Sequence, residues 1–160
     1  VAQNINMAIQ DKYETINASH FGGTRPEIFF GEATSRTPTI NSIQRLPVVI
    51  IYNMGFVPVF DSSYGGVENG TIRIEIYSTV IDAASGVTLD KITRAIKWGG
   101  SAPSARAGFD FGSFTMTGYY YVINFRRVRE LSEYAGYEYQ GNRVYRSTLE
   151  YKVVLGLKPS

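Results

Sequence analysis

The 160-residue chain contains no cysteine. That excludes a disulfide framework, a thiolate metal site and a cysteine nucleophile, and it suits an intracellular assembly environment. Histidine is nearly absent too. His20 is the only one, and it stands at the predicted end of a helix with no nucleophile in view, so it reads as a C-terminal cap or a surface residue. The carboxylates are scattered, with no metal-ligand spacing and no pair placed for acid–base work. The glycines of "GGSAPSARAG" lack the Gly-x-x-x-x-Gly-Lys-Ser/Thr spacing of a phosphate loop. No enzyme is therefore expected, and no cofactor or metal ion. Charge of one sign is also scarce: 16 basic against 14 acidic residues leave +2, where a dedicated DNA binder carries a larger excess. No apolar run is long enough to span a bilayer. The opening "VAQNINMAIQDKYE" lacks the apolar core of a signal peptide, so no membrane association is expected.

The chain is rich in aromatics and glycine: 12 Tyr, 9 Phe and 16 Gly, which favours strands joined by turns and tyrosine-rich contacts. With 44% hydrophobic and 19% charged residues it has the balance of a globular protein. Its length predicts a single domain, 1–160, able to bury a core without staples.

Periodicity then orders the elements. Ile5, Ala8, Ile9, Tyr13 and Ile16 make an amphipathic helical stripe, ended by "HFGG". "PEIFFGEA" (26–33) reads as a short strand, and residues 34–46 as a loop. "PVVIIYN" predicts a buried strand that Gly55 and Pro58 bend or end. Residues 53–70 read as a long loop finishing in the hairpin-type dipeptide Asn69-Gly70. In "TIRIEIYSTVI", Ile72, Ile74, Ile76 and Val80 share one face; Thr71, Arg73, Glu75, Tyr77 and Thr79 share the other, which is wet or meets a partner. "VTLDKITRAIKW" predicts a second helix, with Asp90 in its first turn and Lys97 in its last. Two strands over 117–131 and 137–157, joined by about ten residues, are expected to pair antiparallel. The fold class predicted is α+β: a mainly antiparallel twisted sheet of about 4–6 strands, with two helices on one face.

Two features invite a functional reading. The loop 99–116 carries Phe109, Phe111 and Phe114. Each phenylalanine gains about 1.5–3 kcal/mol on full burial. The loop is therefore expected to pack somewhere, with a partner chain as the candidate surface. The second feature is "YYYVINFRRVRELSEY" (119–134), where Arg126, Arg127 and Arg129 follow a tyrosine run; Arg143 and Arg146 lie on the next strand. Three readings stay open for these arginines: the solvated end of a core strand, a subunit or lumen contact, or a single-stranded nucleic-acid platform of stacked rings and cations.

The order of elements resembles the tail terminator, or tail-completion, proteins of long-tailed bacteriophages. The matching stretches are Pro47 to Tyr52, Thr71 to Thr79, Leu89 to Trp98, and the Tyr-rich closing strand Tyr145 to Val154. The resemblance implies a structural virion protein, located in tail or neck and assembled in the host cytoplasm. It implies a homo-oligomeric ring, hexameric in that family, capping the head-proximal end of the tail tube and joining it to the neck. Its implied partners are the tube protein, the sheath if the tail contracts, and a neck or connector protein. DNA would pass through the lumen without sequence-specific binding. Other head–tail connectors share this size and composition.

Overall fold

A computed structural model describes residues 2–31, 46–59, 66–79, 89–111 and 120–157. They form helices α1 (Ala2–Thr15) and α2 (Leu89–Trp98) and strands β1 (Glu27–Gly31), β2 (Val48–Pro58), β3 (Val67–Ser78), β4 (Tyr120–Tyr139) and β5 (Asn142–Leu157). The strands make one sheet in the order β1-β2-β3-β5-β4. β1 runs parallel to β2, and the other pairs are antiparallel. The fold is α+β, with both helices on one face of the sheet.

The core lies between that face and the helices. Ile5, Ile9 and Tyr13 of α1, with Ile92 and Ile96 of α2, pack against Val49, Ile51, Ile72, Ile74, Ile76, Leu149 and Val153. This follows from period: apolar residues every third or fourth position on the helices meet every second position on the strands. The Tyr13 hydroxyl donates to the Pro26 carbonyl at 2.6 Å, and Arg25 donates to the carbonyls of Glu14 and Ile16. The Glu14 and Ile16 carbonyls lie at the end of α1, where the helix itself offers no donor.

Several boundaries differ from expectation. The 53–70 loop is largely strand: β2 runs on to Pro58 and β3 begins at Val67, with a bulge between Asn53 and Phe56. Asn69-Gly70 is not a turn. Gly70 lies opposite Phe56, whose ring covers it so closely that a Cβ would collide, and glycine is required for that approach. β4 and β5 are joined not by ten residues but by Gln140-Gly141, with φ of 52° and 80°. Two successive positive φ values are what a tight two-residue hairpin needs. Among the described residues β4 pairs only with β5, and it carries register shifts at 122/124, 127/129 and 134/138. Residues 34–45 and Val80 lie outside the described residues.

Among the described residues no helix covers the other face of the sheet, here called the open face. At one end it holds a small second core of Val48, Ile50, Tyr52, Tyr77 and Val144, packed by Leu46, Ala135, Tyr137 and Tyr139. The Tyr137 phenol, desolvated there, is pushed up to about 12. The non-core face of β3 is therefore partly buried by its own chain.

Candidate functional site

Among the described residues no three potential metal ligands come together, and no helix is long and apolar enough to cross a membrane. His20 sits in a 3₁₀ turn, Ala18–Phe21, that Gly22 ends in a left-handed conformation. The chemistry-bearing side chains gather instead on the two faces of the sheet.

Under the helices, charge serves docking. Arg127 lies 3.1 Å from Asp110 and also bonds Glu130. Lys97 reaches Glu130 at 3.0 Å, and the Tyr151 hydroxyl donates to Asp110 at 2.6 Å. Burial and the Asp110 carboxylate hold the Tyr151 phenol well above its ordinary pKa. These bonds tie α2 and the segment 99–111 to β4 and β5. Within that segment Phe109 is fully buried, its ring 6.0 Å from Phe125 and 6.2 Å from Tyr151. The expectation that Phe109 contacts a partner is thus corrected: its own core takes it. Phe111 stays exposed, with the Arg106 guanidinium 5.5 Å above its ring. Phe114 lies outside the described residues.

On the open face, strand register sets charges in rows. Arg73, Glu150 and Arg129 lie side by side, as do Tyr77, Arg146 and Glu133. Between them is Glu75, only 2% exposed. Together with Leu131 and Thr148 these charged residues line a cavity of about 290 Å³. Arg73 stands 3.7 Å and Arg146 3.9 Å from the Glu75 carboxylate, and the Tyr77 hydroxyl donates to it at 3.1 Å. Arg146 also bonds Glu133, and Arg129 is 3.7 Å from Glu150. Burial raises the Glu75 pKa, outweighing the pull of Arg73, Tyr77 and Arg146. Burial opposes the Arg146 charge, but the Glu133 and Tyr77 bonds and Glu75 prevail and raise its pKa.

The next row along β5 is different. Thr71, Lys152 and Arg126 stand side by side, two cations directly opposite each other. They border a second cavity, about 410 Å³, with Met54, Val57, Asn69, Asn124 and Val154. Among the described residues neither cation forms an ion pair.

The five arginines singled out in the sequence therefore do not form one patch. Arg126, Arg129 and Arg146 share the open face, Arg127 is locked under the helices, and Arg143 lies over the Tyr134 ring near the hairpin tip. Arg126 and Arg127, neighbours on a strand, face opposite ways, and the bulge at Val128 then turns Arg129 to the open face beside Arg126 rather than to the core side with Arg127. A stacking platform using Arg126, Arg127 and Arg129 together is not what this strand presents; Tyr119 lies outside the described residues. Lys152, Met54 and Val57 were not singled out by sequence. Only the pairing of β5 with β4 reveals that Lys152 faces another cation.

The sequence matches no family model and no curated protein. Among solved structures, a chain of a virion of a native gene transfer agent particle is similar in fold. The TM-score is 0.58 at 9% identity, over 98% of this chain and 97% of that one.

Proposed function

We propose that this chain is a structural virion protein of a tailed phage or related particle. Its role would be that of a tail terminator: a ring, hexameric, that caps the tail tube and joins it to the neck. The observation that carries this reading is the likeness in fold, along nearly the full length of both chains, to a chain of a gene transfer agent virion. The order of elements, which resembles the terminators, supports the finer assignment. Such a role asks for no catalytic group. It asks for surfaces that bind copies of the chain and neighbouring proteins, and the open face offers Arg126 and Lys152, which form no ion pair among the described residues. The tube protein, a neck protein and, in a contractile tail, the sheath are the partners proposed; DNA would thread the lumen.

Particles assembled without this protein test the role. Overlong tails are expected of a missing terminator. Tails of normal length that fail to join heads would assign the chain to a connector position instead. Complete, infectious particles would contradict both.

A further inference from the structure

The β1 edge of the sheet and a groove on its open face carry complementary chemistry. At one edge, Ile28 of β1 packs towards the core, so strand alternation sends Glu27 and Phe29 to the open face. Glu27 forms no ion pair among the described residues. Phe29 is 48% and Phe30 37% exposed, on an edge strand of five residues without a bulge or a lysine to discourage pairing. Towards the other edge, Arg126 and Lys152 face each other across β4 and β5. Like charges in that position destabilise a sheet. Arg73, Arg129 and Arg146, on the same face, each have a carboxylate within 3.9 Å. The groove beside the cation pair exposes Met54 by 40% and Val57 by 68%.

We propose that the Arg126–Lys152 groove of one copy receives the Glu27–Gly31 edge of a second copy. The Glu27 carboxylate meets the two cations, and Phe29 meets Met54 and Val57. A phosphate backbone would satisfy the cations but leave the apolar half of the groove in water, so the groove fits a protein edge better than a nucleic acid. The two surfaces are different, so the contact is heterologous and repeats in one direction, closing into a ring where the rotation allows. This inference rests on the assembly reading above and names its contact.

Sedimentation velocity on the full chain tests it. Wild type is expected to self-associate. Either Glu27→Arg or the double change Arg126→Glu/Lys152→Glu weakens association by roughly tenfold or more. The triple variant carrying all three reversals recovers much of the loss, while thermal melts confirm that each variant folds. Self-association unchanged in the double variant overturns this contact and leaves the assembly reading standing. Wild type that stays monomeric at every concentration, alone and with its tube protein, overturns both. Unchanged self-association, with salt-dependent binding of a single-stranded oligonucleotide lost in the double variant, assigns the groove to nucleic acid and also overturns the proposal.

Discussion

The two faces of the one sheet use charge in different ways. Beneath the helices, Lys97, Arg127, Glu130 and Asp110 are bonded to one another and hold the 99–111 segment in place. On the open face the pairing stops partway along β5. The rows around Glu75 alternate in sign, whereas the row of Lys152 and Arg126 does not. Residue type is the same in both places; register makes the difference. Where register sets Arg beside Glu, the monomer satisfies itself. Where it sets Arg beside Lys, something outside the described monomer has to.

The contrast can be broken from the helix side first, where the effect is largest. Phe109→Ala removes a fully buried ring from the Phe109–Phe125–Tyr151 cluster. It should cost about 3–5 kcal/mol in urea unfolding. Below the variant's own melting temperature, self-association should be unchanged. A loss under 1 kcal/mol, paired with lost association, would return Phe109 to the surface.

A smaller effect sharpens the paired half of the open face. The Glu75 carboxyl has a raised pKa in the fold, so the folded chain holds its proton more tightly than the unfolded chain. Between the unfolded and folded pKa values, stability contributed by this group falls as pH rises. Glu75→Gln should therefore be more stable than wild type at pH 7, read as a higher urea midpoint. The gain should shrink as pH falls towards the ordinary carboxyl range. A variant destabilised most at pH 7 would mean that Arg73 and Arg146 outweigh the burial of Glu75.

The smallest change concerns the unpaired half. Lys152→Glu converts the like-charged pair with Arg126 into an opposite-charged one. Monomer stability should rise by about 0.2–1 kcal/mol, read by chemical denaturation at low salt. A decrease would mean that Lys152 has a partner within its own chain.

Much of the helix-covered side was legible in the sequence. The alternation Ile72, Ile74, Ile76 and the spacing Leu89, Ile92, Ile96 each fix a buried face from local period alone. The open face was not legible, for physical reasons. A strand read by parity assumes no bulge and sets Arg129 with Arg127, whereas the bulge at Val128 sets it with Arg126 on the open face. Asn69-Gly70 looks like turn chemistry, yet the overlying Phe56 ring requires that glycine within a strand. The like-charge pair of Arg126 and Lys152 joins residues far apart in sequence, and no local window contains both. Glu75 and Tyr77 sat correctly on the non-core face; their burial depends on β4 and β5 neighbours that sequence alone does not place.

The contact between copies can be trapped directly, because the chain has no cysteine of its own. Glu27→Cys and Lys152→Cys would be purified separately, mixed and treated with a short thiol-specific bismaleimide, because a Glu–Lys contact can hold its two Cα atoms farther apart than the roughly 7 Å a direct disulfide bridges. Covalent dimers are expected in the mixture and in neither variant alone. No cross-link in the mixture, or cross-links within a single variant, would contradict a head-to-tail contact between the β1 edge and the open-face groove.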